Sequence, residues 1–162
     1  MFTDHLATYL NDHSAAAMGG VELVRRAASA QRGSRNGPEL ARLADEVAED
    51  RQSLLVIMRR LDVPVRQYKV AGGWALEKVG RLKLNGSVLS RSPLSSLVEL
   101  EGLLMGVHGK LALWQTLRAL ADDDERLDAV ELDRLASRAE DQLKRLEDMR
   151  LQTSTDVLGG AR

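Results

Sequence analysis

Residues 92–121 read SPLSSLVELEGLLMGVHGKLALWQTLRALA, and this stretch decides the fold. Ser92 has the side chain of a helix N-cap, and Pro93 suits the first turn, where its missing N–H costs nothing. Leu97, Leu100, Leu103, Leu104, Val107, Leu111, Trp114 and Leu117 then recur at helical spacing, and Asp122-Asp123-Asp124 closes the run. The segment is the most apolar of the chain, so it is expected to be the central helix of a helical core.

The neighbouring segments have the same period. Residues 3–31 place Leu6, Leu10, Ala17, Val21, Val24 and Ala28 on one face. Residues 32–37 form a turn by composition, and Pro38 opens a second helix to about Leu61 with Leu40, Leu43, Val47, Leu54, Ile57 and Met58 inward. So short a connection makes these two helices antiparallel neighbours. Asp62-Val63-Pro64 ends the second. After the central helix, Asp128 and Glu131 have capping-box spacing, with Asp in place of Ser or Thr. They open a last helix to about Gln152, striped by Leu132, Leu135, Ala139, Leu143, Leu146 and Met149. A weaker, glycine-interrupted helix is expected over residues 67–84. The chain thus reads as one bundle domain over residues 1–152, with a flexible tail over 153–162.

Hairpin, long crossover with a short fifth helix, hairpin: this order resembles the ferritin-like four-helix bundle, an all-α up-down fold of four long helices. The resemblance is one of layout and spans nearly the whole chain. It implies that metal ligands, if present, would come from all four long helices, as paired E-x-x-H turns. Here the corresponding triplets read Glu46-x-x-Glu49 and Glu101-x-x-Leu104, and none of His5, His13 and His108 follows a glutamate by three residues. A ferritin-type two-iron centre is therefore not expected.

Composition narrows the chemistry further. Of 162 residues, 44% are hydrophobic and only 3% aromatic, so the core must be aliphatic, which suits helices built on Leu and Ala. No cysteine is present, which removes disulfides, thiolate metal sites and cysteine nucleophiles. No apolar run is long enough to span a membrane, and the N-terminus has no signal-peptide pattern, so a cytoplasmic location is expected. There is no nucleophile elbow, phosphate loop or dinucleotide fingerprint. The net charge of −1 conceals a basic middle: residues 59–91 hold eight basic and two acidic side chains, a balance of +6. Nucleic acid is nonetheless not an expected partner, because the whole domain is not basic.

Four residues are candidates for a site. His13 lies on the apolar face of the first helix among small neighbours. Asp50 falls inside the apolar arc of the second, where a carboxylate needs a cation, a metal or hydrogen-bond donors; His13 is one candidate partner. Glu101 and His108 share a stripe with Gln115 on the central helix, beside its apolar arc. A single site drawn from His13, Asp50, Glu101 and His108 would suit iron or zinc by ligand type. Gly102, Gly106 and Gly109 form a further stripe on the central helix, expected to allow close approach of another backbone. The leading expectation for function is a non-catalytic interaction or structural protein, with a homodimer as partner. The alternatives are a small metal-binding or redox protein and a carrier of a small apolar ligand between helices.

Overall fold

The computed structural model describes residues 4–66 and 92–159. Four helices account for almost all of them: α1 (Asp4–Ala30), α2 (Gly37–Arg60), α3 (Pro93–Leu120) and α4 (Ala129–Leu158). Among the described residues there is no strand. The short helix expected over residues 67–84, like most of the basic stretch, lies outside the described residues.

The helix ends follow the local chemistry. The Ser92 hydroxyl accepts from the Leu94 amide at 3.3 Å, and Asp128 accepts from the amides of Val130 and Glu131 at 2.9 and 3.1 Å. Glu131, placed to close a capping box, pairs instead with Arg60 of α2. At the turn into α2, Gly37 is required by close approach: a Cβ there would stand 2.6 Å from the Gln31 carbonyl oxygen. Past the end of α2, Asp62 takes φ 57. The Val63 amide reaches back to the Met58 carbonyl at 2.9 Å and the Asp62 amide to Arg59 at 3.1 Å. This is the Schellman closure, with Asp in the left-handed position that glycine usually fills.

The last helix runs to Leu158, six residues beyond the end near Gln152 that its apolar stripe suggests. Thr153 explains the extension. It occupies the next inward position after Met149, is buried, and accepts a hydrogen bond at 3.3 Å from Asn36 of the α1–α2 turn. A polar residue continues the packing face, so hydropathy alone stops short.

Contacts along the helices fix their directions. Tyr9 reaches Thr116 at 3.4 Å, and Leu23 lies 3.4 Å from where a Cβ on Gly102 would be, so α1 and α3 are antiparallel. Glu39 pairs with Arg145 and Arg60 with Glu131, so α2 and α4 are antiparallel as well. Each hairpin, α1–α2 and α3–α4, is antiparallel by its short turn. It follows that α2 finishes at one end of the bundle and α3 begins at the other. The chain leaving α2 is anchored first on α1: Asn11, buried, donates to the Pro64 carbonyl at 3.1 Å and accepts from the Arg66 amide at 2.7 Å.

The interior is aliphatic, as composition requires. Leu10, Leu40, Leu54, Leu100, Leu117 and Leu135 are almost fully enclosed. Burying each contributes roughly 1.5–3 kcal/mol. The glycine stripe meets no close backbone among the described residues: there, a Cβ on Gly106 or Gly109 would meet nothing within 4 Å, and one on Gly102 would touch only the end of Leu23. Gly106→Ala should therefore raise stability by about 0.5–1 kcal/mol, because alanine restricts the unfolded chain and favours helix. Thermal denaturation of the variant checks this, and a lower midpoint would show a neighbour that the free space does not reveal.

Candidate functional site

The inward positions of α2, α3 and α4 follow alternating steps of three and four. On α2 they are Leu43, Val47, Asp50, Leu54 and Ile57; on α3, Leu103, Val107, Lys110, Trp114 and Leu117; on α4, Leu135, Ala139, Gln142, Leu146 and Met149. Each series carries one polar residue near mid-helix, and the three meet. Lys110 Nζ donates to Asp50 Oδ2 and to Gln142 Oε1, while Gln142 Nε2 donates to Asp50 at 3.2 Å and to Glu46 at 3.0 Å. Arg138 of α4 closes on the other Asp50 oxygen and reaches Glu49 at 2.9 Å. Arg145 extends the array, binding Glu46 and, at 2.6 Å, Glu39. Four carboxylates (Glu39, Glu46, Glu49, Asp50) thus face three cations (Lys110, Arg138, Arg145) along the α2–α4 seam.

Burial grades this array from inside to outside. The Asp50 side chain is 2% exposed, Lys110 14% and Glu49 67%. Burial pushes the Lys110 ammonium below the ordinary lysine value, and the charge and hydrogen bond of Asp50 oppose that shift without cancelling it. For Glu46, burial raises the carboxyl, but hydrogen bonds from Arg145 and Gln142 and the charges of Arg145 and Arg138 outweigh it, and the group is held below the ordinary glutamate value. A carboxylate depressed on folding adds stability above its unfolded value and loses it as pH falls through the folded one. Glu46→Gln should therefore be less stable than the parent at neutral pH, by about 1 kcal/mol for a partly exposed pair. The gap should close in acid, below the ordinary glutamate range. Denaturant titrations of both proteins at the two conditions decide it; a gap that persists in acid contradicts the assignment.

The four residues singled out from sequence are not gathered into one centre. Asp50 is buried as expected, but its partners are Lys110, Arg138 and Gln142 rather than His13. His13 sits half-buried on α1, its ring edge-on to Tyr9 with centroids 4.5 Å apart. Burial, opposed by the charge of Asp12, lowers its pKa. Glu101 and His108 are exposed, because Leu103, Val107 and Trp114 turn the opposite face of α3 inward. Among the described residues, no three His, Asp or Glu side chains gather where they could hold a metal ion. No described helix is long and apolar enough to cross a membrane.

Lys110, Gln142, Arg138 and Arg145 were not legible as site residues, since none interrupts its helix or forms a motif. A signal existed for the first two: each fills an inward step of a three-four series otherwise held by apolar residues. Comparison with family models, with curated proteins and with solved structures finds no match to this chain.

Proposed function

We propose that this is a non-catalytic interaction or structural protein, a four-helix bundle of ferritin-like layout whose central polar layer is structural. The observation that carries the reading is the state of Asp50. Both oxygens of this most buried carboxylate are occupied by Lys110, Arg138 and Gln142. In such a bundle a metal would neutralise carboxylates at this depth; here an ammonium and a guanidinium do so. A reaction centre also needs a group with spare coordination or proton-transfer capacity facing a space for substrate. Two recesses among the described residues lie at the ends of the bundle, away from this layer. One, of about 270 Å³, is lined by residues including Gln31, Asn36, Pro93 and Thr153, and the other by Arg60, Glu125, Arg126 and Asp128. The layout is supported by the antiparallel neighbours and by a chain that leaves α2 at one end and enters α3 at the other.

Elemental analysis of untagged protein purified without chelators tests the reading, followed by iron(II) and zinc(II) titration. No stoichiometric metal and no binding at micromolar concentration is the expected result. One or more ions per chain, lost in Asp50→Asn while helicity by circular dichroism is kept, would replace this reading with a metalloprotein. Native mass spectrometry on the same sample should return the mass of the polypeptide without a bound small molecule.

A further inference from the structure

Opposite its core-facing series, α3 carries a second one. Leu94, Val98, Glu101, Met105, His108, Ala112, Gln115 and Ala119 also alternate in steps of four and three, and all but Val98 are exposed. Leu94 is 48% and Met105 67% exposed. Over these seven turns the outward stripe holds one carboxylate and no Lys or Arg, whereas the exposed positions of α4 include Asp133, Arg134, Glu140, Asp141, Lys144 and Asp148. A helix face patterned every seven residues, apolar or small at most positions, is the seam of a helix pair.

We propose that this face of α3 binds the same face of a second copy, with the two helices antiparallel. The inference rests on the interaction reading above and names its partner. Self-complementarity selects a copy over an unrelated helix. A two-fold contact requires that if residue i meets j, then j meets i. Setting Met105 beside the partner's His108 satisfies this at every step. Leu94 meets the partner's Ala119, Val98 the partner's Gln115 and Glu101 the partner's Ala112. In the same register Glu101 lies within about one helical turn of the partner's His108, a carboxylate beside an imidazole, and this occurs twice. Space is also provided. Gly109 flanks the seam, and a Cβ there would meet nothing within 4 Å among the described residues, so the partner's Met105 has a place to lie.

Size sets the strength. Twenty-six residues of helix extend about 39 Å, and a helix is about 10–12 Å across, so each copy contributes a face of roughly 400 Å². The total falls at the weak end of specific interfaces, which implies a monomer–dimer equilibrium rather than an obligate dimer.

Sedimentation equilibrium over a wide concentration range tests the proposal. The expected mass rises with concentration from 17.8 kDa toward twice that value. Met105→Glu should hold the protein at the monomer mass with unchanged helicity and unchanged melting, since Met105 is outside the core. Glu101→Lys should weaken association at least several-fold, and Glu101→Lys with His108→Glu should recover it. Three results overturn the proposal. One is a monomer at every concentration. Another is a dimer indifferent to Met105→Glu. The third is a monomer whose melting falls in Met105→Glu, which would show the face covered by the chain's own residues 67–91. None of these touches the metal analysis, so the interaction reading stands or falls separately.

Discussion

Replacing Asp50 by alanine should lower the unfolding free energy by about 3–5 kcal/mol, a large share of what a domain of this size holds in reserve. The loss does not measure the attraction between Asp50 and its partners. It comes from leaving Lys110 enclosed without its hydrogen-bonded counter-charge, since Gln142 can offer it only a neutral oxygen and Glu46 acts on it through charge alone. Arg138 suffers less, because it keeps Glu49 and is partly exposed. The variant should also acquire a distinctive pH response. Without Asp50 only the charge of Glu46 opposes the burial of Lys110, the folded protein holds that proton less tightly than the unfolded chain does, and stability rises with pH. The converse experiment separates pairing from desolvation. Asp50→Leu combined with Lys110→Leu should recover most of the loss, since apolar replacement of a buried pair is often neutral or stabilising. Urea denaturation of the three proteins, with the single variant repeated at alkaline pH, gives the answer. A single variant within about 1 kcal/mol of the parent would mean that water already reaches the layer.

Trp114→Ala should cost about 3–5 kcal/mol, the range for removing a large ring from a packed core. Trp114 is 1% exposed and lies one inward step from Lys110, so the void would open beside the polar layer. The indole carries its own penalty: its N–H has no hydrogen-bond partner among the described residues. Leaving such a donor buried costs about 1–3 kcal/mol. Trp114→Phe removes the orphaned donor along with part of the ring, and the two effects oppose each other. It should therefore be far milder than the alanine variant. Equal losses for Phe and Ala would show that the indole N–H does have a partner.

The fold was largely legible because its signals are local. Ser92-Pro93, Asp128 and the turn before Pro38 locate helix starts within a residue or two, and the apolar period identifies the buried face. What the sequence withheld depends on which helices meet. Asp50 announced itself as a carboxylate on an apolar arc, yet nothing on α2 says whether that arc looks toward α1 and His13 or toward α3 and α4. Lys110 was harder still. A lysine between Gly109 and Leu111 reads as one more surface charge unless the three-four series through Val107 and Trp114 is followed without regard to polarity. The same habit of following hydropathy ended α4 before Thr153.

The alternating directions of the four helices carry an electrostatic consequence. Each helix has a partial positive charge at its N-terminus and a partial negative one at its C-terminus, about half an elementary charge each. Every adjacent pair here runs in opposite directions, so positive and negative termini neighbour one another at both ends of the bundle and their fields largely cancel along the axis. Asp50, Lys110 and Gln142 all sit near mid-helix, several turns from any terminus, where the remaining field has fallen away. The layer is therefore electrically self-contained. Its charges answer to one another, and a change of charge at the helix caps should leave their protonation unaltered.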